Sequence, residues 1–160
     1  MNALRAAGLL SATASGVMGG VLFAFSSFVM PALRRLPVTE AVAAMQAVNE
    51  AAPRALMLPL VLSGPGAVLV AAWALTRSGV PSLAKGLLVA GAVAGVAAFA
   101  ITAAYHVPRN DRLARVEAGS EAAAAAWESY VPGWVALNHA RTVLSLVSAG
   151  LVIAAATHLP

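Results

Sequence analysis

Two histidines, His106 and His139, are the residues of this 160-residue chain whose type and position best suit chemistry. The first closes one long apolar run and the second opens the next, so antiparallel helices would hold both imidazoles at the same depth. Two neutral imidazoles can bind copper, iron or zinc, or ligate a haem from its two faces. The alternative is that each histidine ends its helix and faces water or lipid headgroups. The sequence leaves both interpretations open.

A polar stripe follows in the last apolar run, where Asn138, Arg141, Ser145 and Ser148 recur at intervals of three and four residues. This spacing puts them on one face of a helix, with Trp134 one turn earlier on the same stripe. Polar groups that continue into a membrane span normally face the interior of the bundle. A guanidinium there needs a carboxylate, carbonyl groups or a bound anion, unless its long side chain reaches back to the interface.

His139 is displaced by about 100° around the helix from its neighbour Asn138. It therefore faces the third apolar run, whereas the polar stripe faces the first two. A site placed between the helices could still use both faces.

Aromatic side chains accompany these polar groups, at Trp127, Tyr130 and Trp134. Spacings of three and four place the rings on one helix face, where they would form a wall for a flat substrate. The competing interpretation is a belt of aromatic residues at the membrane–water interface.

The elements that must position these residues are four apolar runs. The chain is 61% hydrophobic and 10% charged, whereas soluble domains carry about 25% charged residues. Each run approaches the roughly 20 apolar residues that a membrane helix needs. The sequence predicts an all-α, up-down-up-down four-helix bundle in one domain, residues 1–160, with spans at about 4–29, 55–75, 82–106 and 132–158.

One long loop joins the first span to the second, and another joins the third span to the fourth. Each loop is predicted to contain a short amphipathic helix. The first covers residues 40–51 with Thr39 as its N-cap, and the second covers residues 120–130 with Ser120 as its N-cap. Pro132 is then expected in the first turn of the last span. Both loops fall on the membrane side where the two histidines lie.

Orientation and association follow from charges and small residues. Seven of the ten basic residues lie at the long-loop end, which favours a cytoplasmic location for the loops in a bacterial inner membrane. Two small-residue pairs, Gly16 with Gly20 and Gly91 with Gly95, allow close helix packing. This packing would occur within one bundle or between the copies of a homo-oligomer.

Several classes of function are excluded or disfavoured. The chain has no cysteine, so disulfides, iron–sulfur clusters and thiolate metal sites are excluded. It has no basic run with interleaved aromatic residues, which argues against nucleic-acid binding. Nucleophile-elbow, phosphate-loop and zinc-protease motifs are missing as well. No charged residue is expected near the middle of the membrane, which argues against an ion-coupled transporter.

Four segments resemble the anthrone oxygenase-like family of small four-helix membrane proteins. They are Phe23–Leu33, Met45–Asn49, His106–Leu113 and Trp134–Thr142. Fungal members of that family are associated with the oxidation of anthrones to anthraquinones. The resemblance therefore implies an oxidoreductase that uses molecular oxygen on an electron-rich aromatic compound. The candidate functional residues that the resemblance implies are Asn49, Asn110, Trp134, Asn138, His139 and Arg141. At position 106 many relatives have asparagine, so a metal site of two histidines would mark a subgroup.

The sequence as a whole predicts a membrane oxidoreductase that takes a small, flat, apolar or phenolic substrate from the lipid bilayer. The predicted catalytic residues are His139, Asn138, Arg141 and Asn110, the predicted substrate-binding residues are Trp134, Tyr130, Trp127 and Asn49, and the predicted metal ligands are His106 and His139. Copper or iron, less favourably haem, or no cofactor at all would serve this chemistry. The alternatives are a haem- or metal-binding electron-transfer module and a non-enzymatic binder or transporter of small molecules.

Overall fold

The computed structural model describes residues 2–159, and over those residues the secondary structure is entirely helical. Four long helices are apolar enough to cross a membrane, which confirms the predicted fold class. They are α1 (Ala3–Leu33), α2 (Val38–Leu75), α3 (Ser82–Ala114) and α4 (Ala122–Ala156).

The helices follow one another around the bundle. α4 packs along both α1 and α3, and α2 packs along the same two helices from the opposite side. The connections 34–37 and 115–121 lie at one end, here called the loop end, and the connection 76–81 lies at the other. The side chains predicted to form a site are carried by the loop-end halves of the four helices.

The prediction of separate amphipathic helices in long loops was wrong. Residues 40–51 belong to α2, whose N-cap is Pro37 rather than Thr39. Residues 122–130 likewise begin α4, whose N-cap is Glu121 rather than Ser120, and Pro132 lies inside that helix. A proline removes only one backbone hydrogen bond, and packing against neighbouring helices allows a membrane helix to continue through it. The connections are therefore short and the helices extend beyond the apolar runs.

Two wide π-helical turns interrupt the bundle at the loop end. They span Phe25–Val29 in α1 and Thr102–His106 in α3. Each is followed by a short α-helical segment with a proline in its first turn, Pro31 or Pro108. The predicted end of the third span at residue 106 was therefore wrong, since α3 continues to Ala114. π-turns often occur at functional sites because they change the direction of the side chains around them.

The two glycine pairs have different environments. A Cβ atom on Gly91 would lie 2.8 Å from Val152 Cγ2, and one on Gly95 would lie 3.3 Å from the Cα atom of Gly64. This pair therefore allows close packing inside the bundle. Gly16 and Gly20 have no atom within 4 Å of such a Cβ. Association of two copies through that outer face of α1 stays a prediction.

Candidate functional site

A cavity of about 230 Å³ lies between the helices at the loop end. It is larger than the roughly 150 Å³ cavity that holds one benzene molecule. Most of its wall is apolar and comes from α1 and α2. The polar side chains that line it are Asn49, Thr102, His106, Asn110 and Arg141, and Trp134 supplies an aromatic face. This arrangement, an apolar pocket with a few convergent polar groups, is typical of small-molecule sites.

Two of the residues that line the cavity are also exposed at the outside of the bundle. They are Met57 and Val107, which are 54% and 47% exposed. Both lie within helices that could span a membrane.

Arg141 is the centre of the buried hydrogen bonds beside the cavity. Its guanidinium donates to Asn138 Oδ1 and, over 3.2 Å, to Thr102 Oγ1. Asn138 Nδ2 in turn donates to the backbone oxygen of Leu22 at 2.6 Å and to Ser26 Oγ at 2.5 Å. The predicted polar stripe of α4 thus faces inward, and Asn138 holds Arg141 against α1.

No acidic side chain neutralises this buried guanidinium. All six Asp and Glu residues of the chain are exposed, and across residues 2–159 the ion pair found is Arg54 with Glu50. Arg141 is only 6% exposed, and its Nε has no hydrogen-bond partner among the described residues. A buried cation without a counter-ion is costly. An anion in the cavity would supply the missing partner.

Asn110 fixes the aromatic residues behind the cavity. Its Oδ1 accepts a hydrogen bond from Tyr130 Oη at 2.7 Å and one from Trp134 Nε1 at 3.2 Å. Trp127 stacks on Tyr130 with the ring centroids 5.8 Å apart and the planes inclined by 17°. These three aromatic side chains are 7%, 3% and 4% exposed in chain order. They form part of the core rather than an interfacial belt, and only Trp134 lines the cavity.

Asn49 provides a second unused donor. It lines the cavity from α2 and lies beside the Tyr130 hydroxyl. Even so, its Nδ2 is buried without a hydrogen-bond partner among residues 2–159. Two unpaired donors, this amide and the Nε of Arg141, therefore belong to residues of the same cavity wall. Buried donors of this kind normally have a partner.

His106 lines the cavity but is held by its own backbone surroundings. Its Nε2 lies 3.2 Å from the backbone oxygen of Trp134 and its Nδ1 lies 3.4 Å from that of Ile101. The ring also meets the Trp134 indole edge-on, with the centroids 5.3 Å apart. Both ring nitrogens thus face carbonyl oxygens, which orients the imidazole and leaves neither nitrogen directed freely into the cavity.

His139 is exposed and lies outside the cavity. The structure therefore does not bring His106 and His139 together, because their helix faces differ. Among residues 2–159 there is no group of three or more His, Cys, Asp or Glu side chains that could hold a metal. Catalytic metals usually need about three protein ligands. The residues present fit neither a copper, iron or zinc centre nor a haem held between the two histidines.

Thr102 and Phe25 were not identified from the sequence, and Ser26 was expected only at this end of the bundle, without a role. Thr102 anchors Arg141, Ser26 anchors Asn138, and Phe25 packs near Trp134 with the ring centroids 6.1 Å apart. All three lie in the π-turns. The available signal was a proline a few residues after each of them, but that pattern is also common where a helix ends.

Comparison with known proteins assigns the chain to a family. No curated protein and no solved structure matches the chain. The family model described as Anthrone oxygenase matches residues 47–151. That range contains all the cavity-lining polar residues and excludes α1. Since the match covers well over half of the sequence, the chain belongs to the anthrone oxygenase family.

Proposed function

We propose that the protein is a membrane oxidoreductase that uses molecular oxygen to oxidise a flat, apolar, phenolic or anthrone-like substrate. The observation that carries this proposal is the buried guanidinium of Arg141, which has no counter-ion and an unpaired Nε beside an apolar cavity. An ionised phenol or enol combines the two properties that such a cavity would select, a flat apolar ring system and a single anionic oxygen.

In the proposed reaction the methylene group of an anthrone loses both hydrogens and gains one oxygen atom of O₂. The other oxygen atom leaves as water. The substrate reacts as its enolate, which is electron-rich enough to transfer electrons to oxygen. Arg141 and Asn49 donate hydrogen bonds to the enolate oxygen, while Trp134 packs against the rings. Preorganised donors in a site that excludes water stabilise such an oxyanion strongly.

In the proposed reaction, the histidine that accepts the substrate proton is His106 rather than His139, which the sequence had suggested as a catalytic residue. His106 is the histidine that lines the cavity, and its Nδ1 contact of 3.4 Å is the longer of its two. A small rotation of the ring would free that nitrogen to accept the substrate proton. We assign His139 no catalytic role, since its side chain is exposed on the outside of α4.

Substrate and oxygen would both enter from the bilayer past the exposed residues Met57 and Val107. Both compounds are apolar and concentrate in lipid, so a lateral entrance suits them better than one through the loops. We place the protein in a bacterial inner membrane with its loop end in the cytoplasm, because seven of the ten basic residues lie at that end.

The test is oxygen uptake together with quinone formation, using anthrone as the probe and purified protein in detergent. We expect the wild type to exceed the protein-free rate, and Arg141→Met to lose about 100-fold or more of that excess. His139→Ala is the matched control and should keep the wild-type rate. If the wild type oxidises anthrone no faster than buffer does, the proposed activity is wrong.

A second candidate function is the binding of an amphipathic aromatic anion without chemistry. The observation that favours it is that both nitrogens of His106 face carbonyl oxygens. In that case anthrone or a related phenol would bind in a manner that depends on Arg141, and oxygen uptake would stay at the protein-free rate.

A further inference from the structure

A second cavity, of about 130 Å³, lies at the loop end between the end of α3 and the start of α4. It is separate from the candidate active site and has a different character. The residues that line it are Arg109, Arg112, Leu113, Val116, Ala126, Ser129 and Tyr130. Two guanidinium groups thus share this cavity with both polar and apolar side chains.

Arg109 is held in place. Its guanidinium carbon lies 4.4 Å from the centre of the Tyr105 ring, and its Nη1 donates to the backbone oxygen of Ser129 over 3.3 Å. This contact uses one of the five N–H donors of the group. Stacking on an aromatic ring fixes the plane of the guanidinium, so the remaining donors are preorganised to bind an anion.

Neither arginine of this cavity is neutralised by the protein. Within the described part of the chain no carboxylate oxygen lies within 4 Å of Arg109 or Arg112, since the ion pair found there is Arg54 with Glu50. Arg112 is exposed and Arg109 is half-buried, so an anion can reach both guanidinium groups from outside the bundle.

We propose that this cavity binds the phosphate group of an anionic phospholipid. Arginine pairs bind phosphate through parallel N–H···O bonds. The cavity lies at the ends of two membrane-spanning helices, which is the depth of the lipid headgroups. Basic pockets between such helices are recognised sites for anionic headgroups. Val116 and Ala126, the half-buried apolar residues of this cavity, offer a surface for the start of an acyl chain, which a free phosphate ion would not use.

Lipid binding here would also act on the candidate active site. Tyr130 lines the second cavity, while its hydroxyl donates to Asn110, which lines the first. A lipid that holds Arg109 and Arg112 in place would restrain the end of α3 and the start of α4. It would thereby restrain the aromatic residues behind the first cavity. The binding itself does not depend on the proposed oxidase activity.

The test measures thermal unfolding of the purified full-length protein in detergent, with added phosphatidylglycerol, phosphatidylcholine or inorganic phosphate. We expect phosphatidylglycerol, but not phosphatidylcholine, to raise the unfolding temperature of the wild type. The double variant Arg109→Gln with Arg112→Gln should bind phosphatidylglycerol at least about tenfold more weakly, because charged hydrogen bonds are lost. The double variant Arg34→Gln with Arg35→Gln removes the same charge from exposed positions near the same end and should respond like the wild type.

Equal weakening in the two double variants would overturn the proposal, since it would show a general charge effect. A shift produced equally by inorganic phosphate at matched ionic strength, and lost in the Arg109 and Arg112 variant, would identify a free anion instead of a lipid. Arg112→Gln alone provides a variant that keeps the contacts of Arg109. It should weaken phosphatidylglycerol binding by a smaller factor, and unchanged binding would count against the site.

Discussion

Replacing Arg141 by methionine should abolish the ability of the cavity to distinguish an ionised ligand from a neutral one. The informative pair of ligands is a tricyclic phenol and its methyl ether, which cannot ionise. In the wild type the Nε of Arg141 has no partner among the described residues, and in the proposed complex it donates one charged hydrogen bond to the phenolate. Such a bond contributes about 1.5–3 kcal/mol. This corresponds to a preference for the phenolate of about 10- to 150-fold in Kd.

Quenching of tryptophan fluorescence reports binding, because Trp134 forms one face of the cavity. Arg141→Met should bind the phenol and the ether with Kd values within about twofold of each other, and its affinity for the ether should stay near that of the wild type. Arg54→Gln is the control, since it removes an arginine whose side chain is 78% exposed. A phenolate preference that survives in Arg141→Met would refute the assignment of Arg141 as the anion partner.

Three further outcomes are expected, each measured by thermal or denaturant unfolding in detergent. Asn110→Ala should destabilise the protein by about 2–4 kcal/mol, since it leaves a buried phenol and a buried indole without their acceptor; a loss below about 0.5 kcal/mol would contradict that role. His139→Ala should change stability by less than about 0.5 kcal/mol because the side chain is exposed, whereas His106→Ala should cost about 1–3 kcal/mol through its lost carbonyl contacts. Gly95→Ala should cost about 1–3 kcal/mol because its Cβ would lie 3.3 Å from the backbone of α2, while Gly16→Ala, with open space around it, should be neutral or slightly stabilising.

The four spans were predictable because hydropathy and length determine them almost alone. The ends of the helices were not predictable in the same way. Pro37, Pro53 and Pro132 look like boundaries in the sequence, yet the last two lie inside α2 and α4. Proline disfavours a helix locally by removing one donor, but packing against the other helices outweighs that cost. The free energy of packing between helices cannot be read from the residues around each proline.

The inward face of α4 was predicted from spacing, and Asn138, Arg141 and Trp134 all lie where that spacing places them. The pairing of His106 with His139 was proposed from their equal depth, which ignores their direction around the helix axis. Successive residues of a helix are rotated by about 100°. Because Asn138 faces inward, this rotation takes the next residue, His139, off the inward face of α4. Equal depth brings two residues together only when both helix faces point at each other.

Each π-turn follows a backbone carbonyl that a buried side chain of the site contacts. In α1 the carbonyl of Leu22, before the π-turn, accepts a hydrogen bond from Asn138. That carbonyl also accepts from the backbone N–H of Phe25, so the amide uses its second lone pair. In α3 the carbonyl of Ile101, just before the π-turn, faces Nδ1 of His106. Each π-turn is followed within three residues by a proline, which cannot donate to the preceding turn. Pro31 and Pro108 therefore withdraw backbone donors beside the turns that contain Ser26, a hydrogen-bond partner of Asn138, and His106 itself.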